Sequence, residues 1–236
     1  MSSELTALLS VAYHEPGDEH LVELVHQQDA AAPRRLASLA LDVYASDGRR
    51  LDRVEIDPAR DVLDLGDALA KYTGATNRFM VAFDARYDET AFPHFRPHHY
   101  AFVRRPGSSA PPVYCAVNSV LGGFASGSSA VRLHNFETYL FARRPLPQRY
   151  SLLLGNLSRF VPAEAQVVSH FGTERRTREV TIAPRAHVEV ELESAADGAP
   201  LRRVDLKSLF RLANYVVARA PSGEIALLDH LFGYLK

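Results

Sequence analysis

Several stretches of the chain alternate between apolar and polar residues. In His187–Leu192 (HVEVEL), Val188, Val190 and Leu192 share one face, and Glu189 and Glu191 share the other. A period of two is the signature of a strand with one buried face. Leu39, Leu41 and Val43 repeat the pattern against Ala40, Asp42 and Tyr44, and Ser46-Asp47-Gly48 follows them. Asp-Gly between alternating runs predicts a hairpin. Phe79–Phe83, Tyr100–Val103, Val113–Val117, Val131–Phe141 and Tyr215–Val217 add further β-prone runs. Helical patterning is scarce. Asp64–Tyr72 and Asp205–Leu212 are the best candidates, each opening on an Asp able to cap a first turn.

The pattern also occurs twice. Ala37–Val62 aligns without a gap on Ala163–Val188, an offset of 126 residues. Identities fall at Ala37/Ala163, Arg49/Arg175, Arg50/Arg176, Val54/Val180, Ile56/Ile182, Pro58/Pro184 and Val62/Val188. Both copies read as strand, turn, strand, Pro, strand. The expected fold is therefore all-β: two tandem, related antiparallel β-sandwich domains with short helical turns. The first is placed at residues 1–143 and the second at 144–236. Gly122–Ser129, rich in Gly and Ser, is the alternative linker. A chain of 236 residues is long enough for two such domains.

Composition narrows the function. A net charge of −1 supplies no overall field to steer a polyanion. Six Arg–Arg doublets punctuate the chain, two of them at equivalent hairpins of the copies. That placement suits charged strand ends that keep sheet edges soluble, so nucleic acid is not an expected partner. The single Cys115, in an apolar run, forms no internal disulfide. No run of about 18 apolar residues occurs to span a membrane, and the N-terminal residues lack the basic region of a secretory signal. The expected location is the cytoplasm.

The second half resembles a known family. Asn156, Ala165, Val167, Ile182, Pro184 and Val188, followed by Val216–Arg219 and Ile225–His230, are similar to the pattern of the sensory-rhodopsin-transducer family of small β-sandwich proteins. The resemblance implies an oligomeric binding or signalling module without catalysis. It carries no functional residue across.

Candidate chemistry concentrates in Asp84–Tyr100. Tyr87, Arg96, His98, His99 and Tyr100 form one ligand-binding set. Arg96 offers a fork for a carboxylate, either His a polar contact, and the tyrosines stacking faces. An oligomer interface uses the same composition. The alternative is a metal-dependent enzyme, with His94, His98, His99, His134 and Glu137 holding Zn, Fe or Mn. The spacing matches no H-E-x-x-H motif. Gly122–Ser129 lacks the order of a phosphate-binding loop, and no nucleophile elbow surrounds Ser158. Asn156 reads as a turn residue, and His170 and His187 as exposed histidines on strand faces. The leading expectation is a non-enzymatic binding or scaffolding protein without a cofactor, taking a small polar ligand or a protein partner.

Overall fold

The computed structural model describes residues 8–15, 17–24, 36–72, 78–87, 100–109, 111–116, 118–121, 134–139, 149–192, 199–209, 212–229 and 232–235. The chain forms two compact units, Met1–Gly123 and Phe124–Lys236. The division falls in the Gly/Ser-rich alternative linker rather than at residue 143.

The first unit contains β1 (Leu8–His14), β2 (Glu19–Glu23), β3 (Leu36–Tyr44), β4 (Arg50–Ile56), β5 (Val62–Asp64), β6 (Phe79–Tyr87), β7 (Tyr100–Arg104), β8 (Val113–Ala116) and β9 (Asn118–Leu121). Between β5 and β6 lie α1 (Leu65–Leu69) and a turn of 3-10 helix, Ala70–Tyr72. The second unit contains β10 (His134–Tyr139), β11 (Arg149–Asn156), β12 (Ala163–Phe171), β13 (Glu174–Ile182), β14 (His187–Leu192), β15 (Arg203–Ser208), β16 (Leu212–Arg219), β17 (Ile225–Asp229) and β18 (Phe232–Leu235). The first unit has sheets β4-β3-β6-β1-β9 and β5-β2-β7-β8, and the second has β13-β12-β15-β10-β18 and β14-β11-β16-β17. Adding nine to each strand number of the first unit gives the second. Every ladder is antiparallel. Because β10 pairs with β15 and β18, residues 134–139 lie in the second unit.

The second unit has its core between its two sheets. Ala163, Ala165, Val167 and Phe171 of β12, with Val204 and Leu206 of β15, pack with Leu152 and Leu154 of β11, Val190 and Leu192 of β14, and Leu212 and Val216 of β16. The alternation read in His187–Leu192 holds: Val190 and Leu192 are buried, Val188 packs against the core, and Glu191 is exposed. In the first unit, Leu39, Leu41, Val43, Phe79, Val81 and Phe83 are buried on one sheet, and His20, Val22, Ala101 and Val103 on the other.

Ala37–Val62 and Ala163–Val188 each run strand, turn, strand, turn, strand, with a difference in register. In the first hairpin Leu41 faces Val54; in the second Ala165 faces Val180. The gapless sequence alignment pairs Leu41 with Val167, two residues away from this structural match. Two residues is one full strand period, so every side chain keeps its face and the pattern survives. The turns absorb the difference. Ala45–Arg49 closes the first hairpin, with Gly48 at φ 88°, and Gly172-Thr173 closes the second, with Gly172 at φ 64°. Both glycines occupy the left-handed region that a side chain disfavours. Pro58 and Pro184 sit at the same place in matching turns.

The two helix expectations part company. Asp64 caps α1, its Oδ1 accepting from Gly66 N at 2.7 Å and Asp67 N at 3.2 Å, while Leu65 and Leu69 are buried. The Asp205 segment is instead strand β15. Val204, Leu206 and Ser208 point inward, and β10 and β12 bond it on both sides. Ladders on two edges outweigh a weak local preference for helix.

Asn156 holds the turn after β11, as its sequence position suggests. Its side-chain nitrogen donates to Val161 O at 2.9 Å and Ile182 O at 3.0 Å, and its oxygen accepts from Ser158 N at 2.9 Å.

Candidate functional site

A cleft lies at one edge of the second unit's sandwich. β13 is the edge strand of one sheet and β14 the edge strand of the other. The ladder sets Arg178 opposite Val167 and Arg176 opposite Ser169. Directly opposed residues in an antiparallel pair share a face, and Val167 belongs to the core. Both arginines therefore rise from the inward face where the sandwich opens. With Val167, Phe171, Val190 and Leu192 they line a cleft of about 540 Å³. Ser169, which shares the inward face of β12, also lines it, and Thr177 and Glu191 complete its border from the edge strands.

The two arginines are in different states. The Arg176 Nε donates to Glu174 Oε1 at 2.7 Å, and its guanidinium lies 5.5 Å from the centre of the Phe171 ring. The ion pair and the cation–π contact fix the orientation of its fork. Arg178 is exposed and makes no ion pair with a described residue. Two guanidinium groups over an apolar floor can receive a planar anion through paired N–H donors while the floor shelters an attached apolar group.

The described residues among the site candidates singled out from sequence do not line this cleft. Tyr100 opens β7, and its ring stacks on Tyr114 with centres 5.3 Å apart and planes 7° apart. Phe102 leans on Tyr114 at 4.6 Å. Leu21, Phe102 and Tyr114 stand in cross-strand register on β2, β7 and β8, and Phe102 and Tyr114 are 38 % and 51 % exposed. Tyr87 ends β6, where its backbone partners Leu36. His94, Arg96, His98 and His99 lie outside the described residues. His134 and Glu137 are on β10, in register with Ser208 and Asp205 of the second unit, whereas His94, His98 and His99 belong to the first unit by sequence. Among the described residues no group of three or more His, Cys, Asp or Glu is placed to hold a metal ion.

The strand histidines are less exposed than their sequence suggests. His187 is buried. His170 is half-buried, with Nε2 2.8 Å from Asp205 Oδ2, and Arg203 Nε lies 2.7 Å from Asp205 Oδ1. Burial opposes ionisation of Asp205, but Arg203 and His170 outweigh it and hold the carboxyl below its usual range. The outer face of the first unit carries a comparable network. Arg53 reaches Asp84 at 2.8 Å, Glu55 at 3.0 Å and Asp42 at 3.4 Å, and Arg50 reaches Asp42 at 3.0 Å.

A second polar feature is interior. His14 on β1 and His20 on β2 face each other from opposite sheets, with ring centres 6.0 Å apart. They are 1 % and 2 % exposed, and each keeps one ring nitrogen without a hydrogen bond among the described residues. Burial pushes His20 down to about 3, helped by neighbouring His14. Burial also lowers His14, against the opposing pull of Asp64 and Asp18. Both imidazoles are therefore neutral at neutral pH.

In sequence Arg175–Arg176 reads as hairpin-tip charge, and Arg178 belongs to no motif. The usable signal lay in the repeat itself. Arg178 aligns with Asp52, a charge inversion between identical Arg50/Arg176 and Val54/Val180 pairs. No protein-family model, curated protein or solved structure matches this chain.

Proposed function

We propose that this protein is a non-enzymatic binding protein built from a duplicated β-sandwich, and that the cleft of the second unit holds a small polar ligand. The observation that carries this reading is the pair Arg176 and Arg178, two residues apart on the inward face of an edge strand, over a cleft of about 540 Å³. That size lies within the range of small-ligand pockets. Arg178 presents a charged fork with no described side chain to neutralise it. A binding role also agrees with the resemblance to the sensory-rhodopsin-transducer family.

The test is an amide NMR titration with a panel of small polar anions, zwitterions and neutral polyols. Binding at this site moves the amides of Val167–Phe171, Arg176–Arg178 and Val190–Leu192 together and saturably. A panel that leaves all three strands unmoved, or moves only residues of the first unit, refutes the assignment.

A further inference from the structure

In the first unit the chain's own residues bridge the matching sandwich edge. There the edge strand is β4, and the position matching Arg178 is Asp52, two residues before Val54 as Arg178 is two before Val180. The ladders agree: Asp52 faces Val43 and Arg178 faces Val167, each an inward-facing core residue. After β5, in the other sheet, the chain forms α1 and the 3-10 turn and ends against β4. Lys71 Nζ is 2.5 Å from Asp52 Oδ2, and the Tyr72 hydroxyl donates to the same oxygen. The Tyr72 ring packs edge-on against Phe79, 6.0 Å between centres. The segment thus crosses from one sheet to the other and delivers a cation and an aromatic ring to the carboxylate.

In the second unit the carboxylate is replaced by a guanidinium, and the described residues supply it no anion. We infer that the Arg178 cleft takes a monoanion bearing an apolar or aromatic group, an aryl or alkyl carboxylate, which fills from outside the place that Lys71 and Tyr72 fill in the first unit with the charges reversed. This inference rests on the proposed binding role and narrows its ligand. The carboxylate meets the Arg178 fork, with Arg176 beside it already oriented by Glu174 and Phe171. The apolar group lies on Val190 and Leu192. A bidentate guanidinium–carboxylate pair sheltered by apolar side chains is the geometry in which such a pair is strongest.

The experiment compares three probes by calorimetry and amide NMR on the full chain: 2-naphthoate, its neutral analogue 2-naphthylmethanol, and inorganic phosphate. The expected result is saturable binding of 2-naphthoate with shifts in β12, β13 and β14, and at least tenfold weaker binding of 2-naphthylmethanol. Arg178→Ala should weaken 2-naphthoate at least tenfold. Arg175→Ala, which removes an equal charge from the opposite face of β13, should leave it within twofold. Both residues are exposed, so neither variant tests folding. Equal affinity for the alcohol, or equal effects of the two substitutions, overturns the inference. Phosphate binding in the cleft without naphthoate binding also overturns it while leaving the broader binding role intact. If none of the three probes moves the cleft, this ligand class is wrong, and the binding role is decided separately by the wider titration.

Discussion

The buried His14–His20 pair makes the stability of the first unit depend on pH in a calculable way. His20 is 2 % exposed, sits among apolar core residues, and is held down to about 3 by burial. In the unfolded chain it returns to 6.5. The folded form therefore refuses a proton that the unfolded form accepts, so stability is full above pH 6.5 and falls as the pH drops through that value toward 3. One pH unit is worth about 1.36 kcal/mol. At pH 5, 1.5 units below the unfolded value, His20 alone should cost the first unit about 2 kcal/mol. The figure barely changes for any folded value below about 4, because the folded ring is then almost wholly neutral at pH 5. His14 adds to the loss in the same direction, with Asp64 and Asp18 limiting its share. The chain has ten tyrosines and no tryptophan, so urea unfolding can be followed by tyrosine fluorescence at pH 7.5 and pH 5. His20→Gln should lower stability at both values but remove about 2 kcal/mol of the pH-dependent loss. An unchanged pH dependence in that variant, or an imidazole NMR titration of His20 with a midpoint near 6.5, refutes the reasoning.

Three further outcomes follow from the packing. Asn156→Ala strands the buried Ile182 carbonyl and Ser158 amide, loses the part-buried bond to the Val161 carbonyl and should cost roughly 2–4 kcal/mol in urea unfolding of the second unit. Val190→Ala should cost about 1–3 kcal/mol through lost burial and a residual cavity, while Glu191→Ala on the exposed side should be near neutral, and equal melting shifts would contradict the strand's orientation. Asp64→Ala removes the cap of α1 and should destabilise the first unit by about 1 kcal/mol, visible as a lower melting temperature that Asp64→Ser largely restores.

Asn156 and Asp64 were readable because part of their work is local: each bonds to backbone within five residues, and a short polar side chain before a turn or helix announces that role, whereas the Asn156 bond to Ile182 O, 26 residues on, gave no local signal. Asp205–Leu212 was misleading for the opposite reason. Its spacing of leucines suits a helix turn, but Val204, Leu206 and Ser208 also alternate, and the choice between the periods was made by β10 and β12, partners from distant parts of the chain. His20 gave no warning, because a histidine in an alternating strand looks the same whether its face meets water or the opposing sheet.

The sequence alone determined the all-β class and the hairpins, because period-two alternation, Asp-Gly turns and prolines act over a few residues. Tertiary structure decided the rest. It set the division at Gly123, since strand β10 takes its meaning from the strands it bonds. It turned a single charge difference, Asp52 against Arg178, into two different edges, one where the chain supplies the counter-charge and one where a cleft presents the arginine. That distinction depends on which faces meet across two sheets, a relation between residues far apart in the chain that no local pattern encodes.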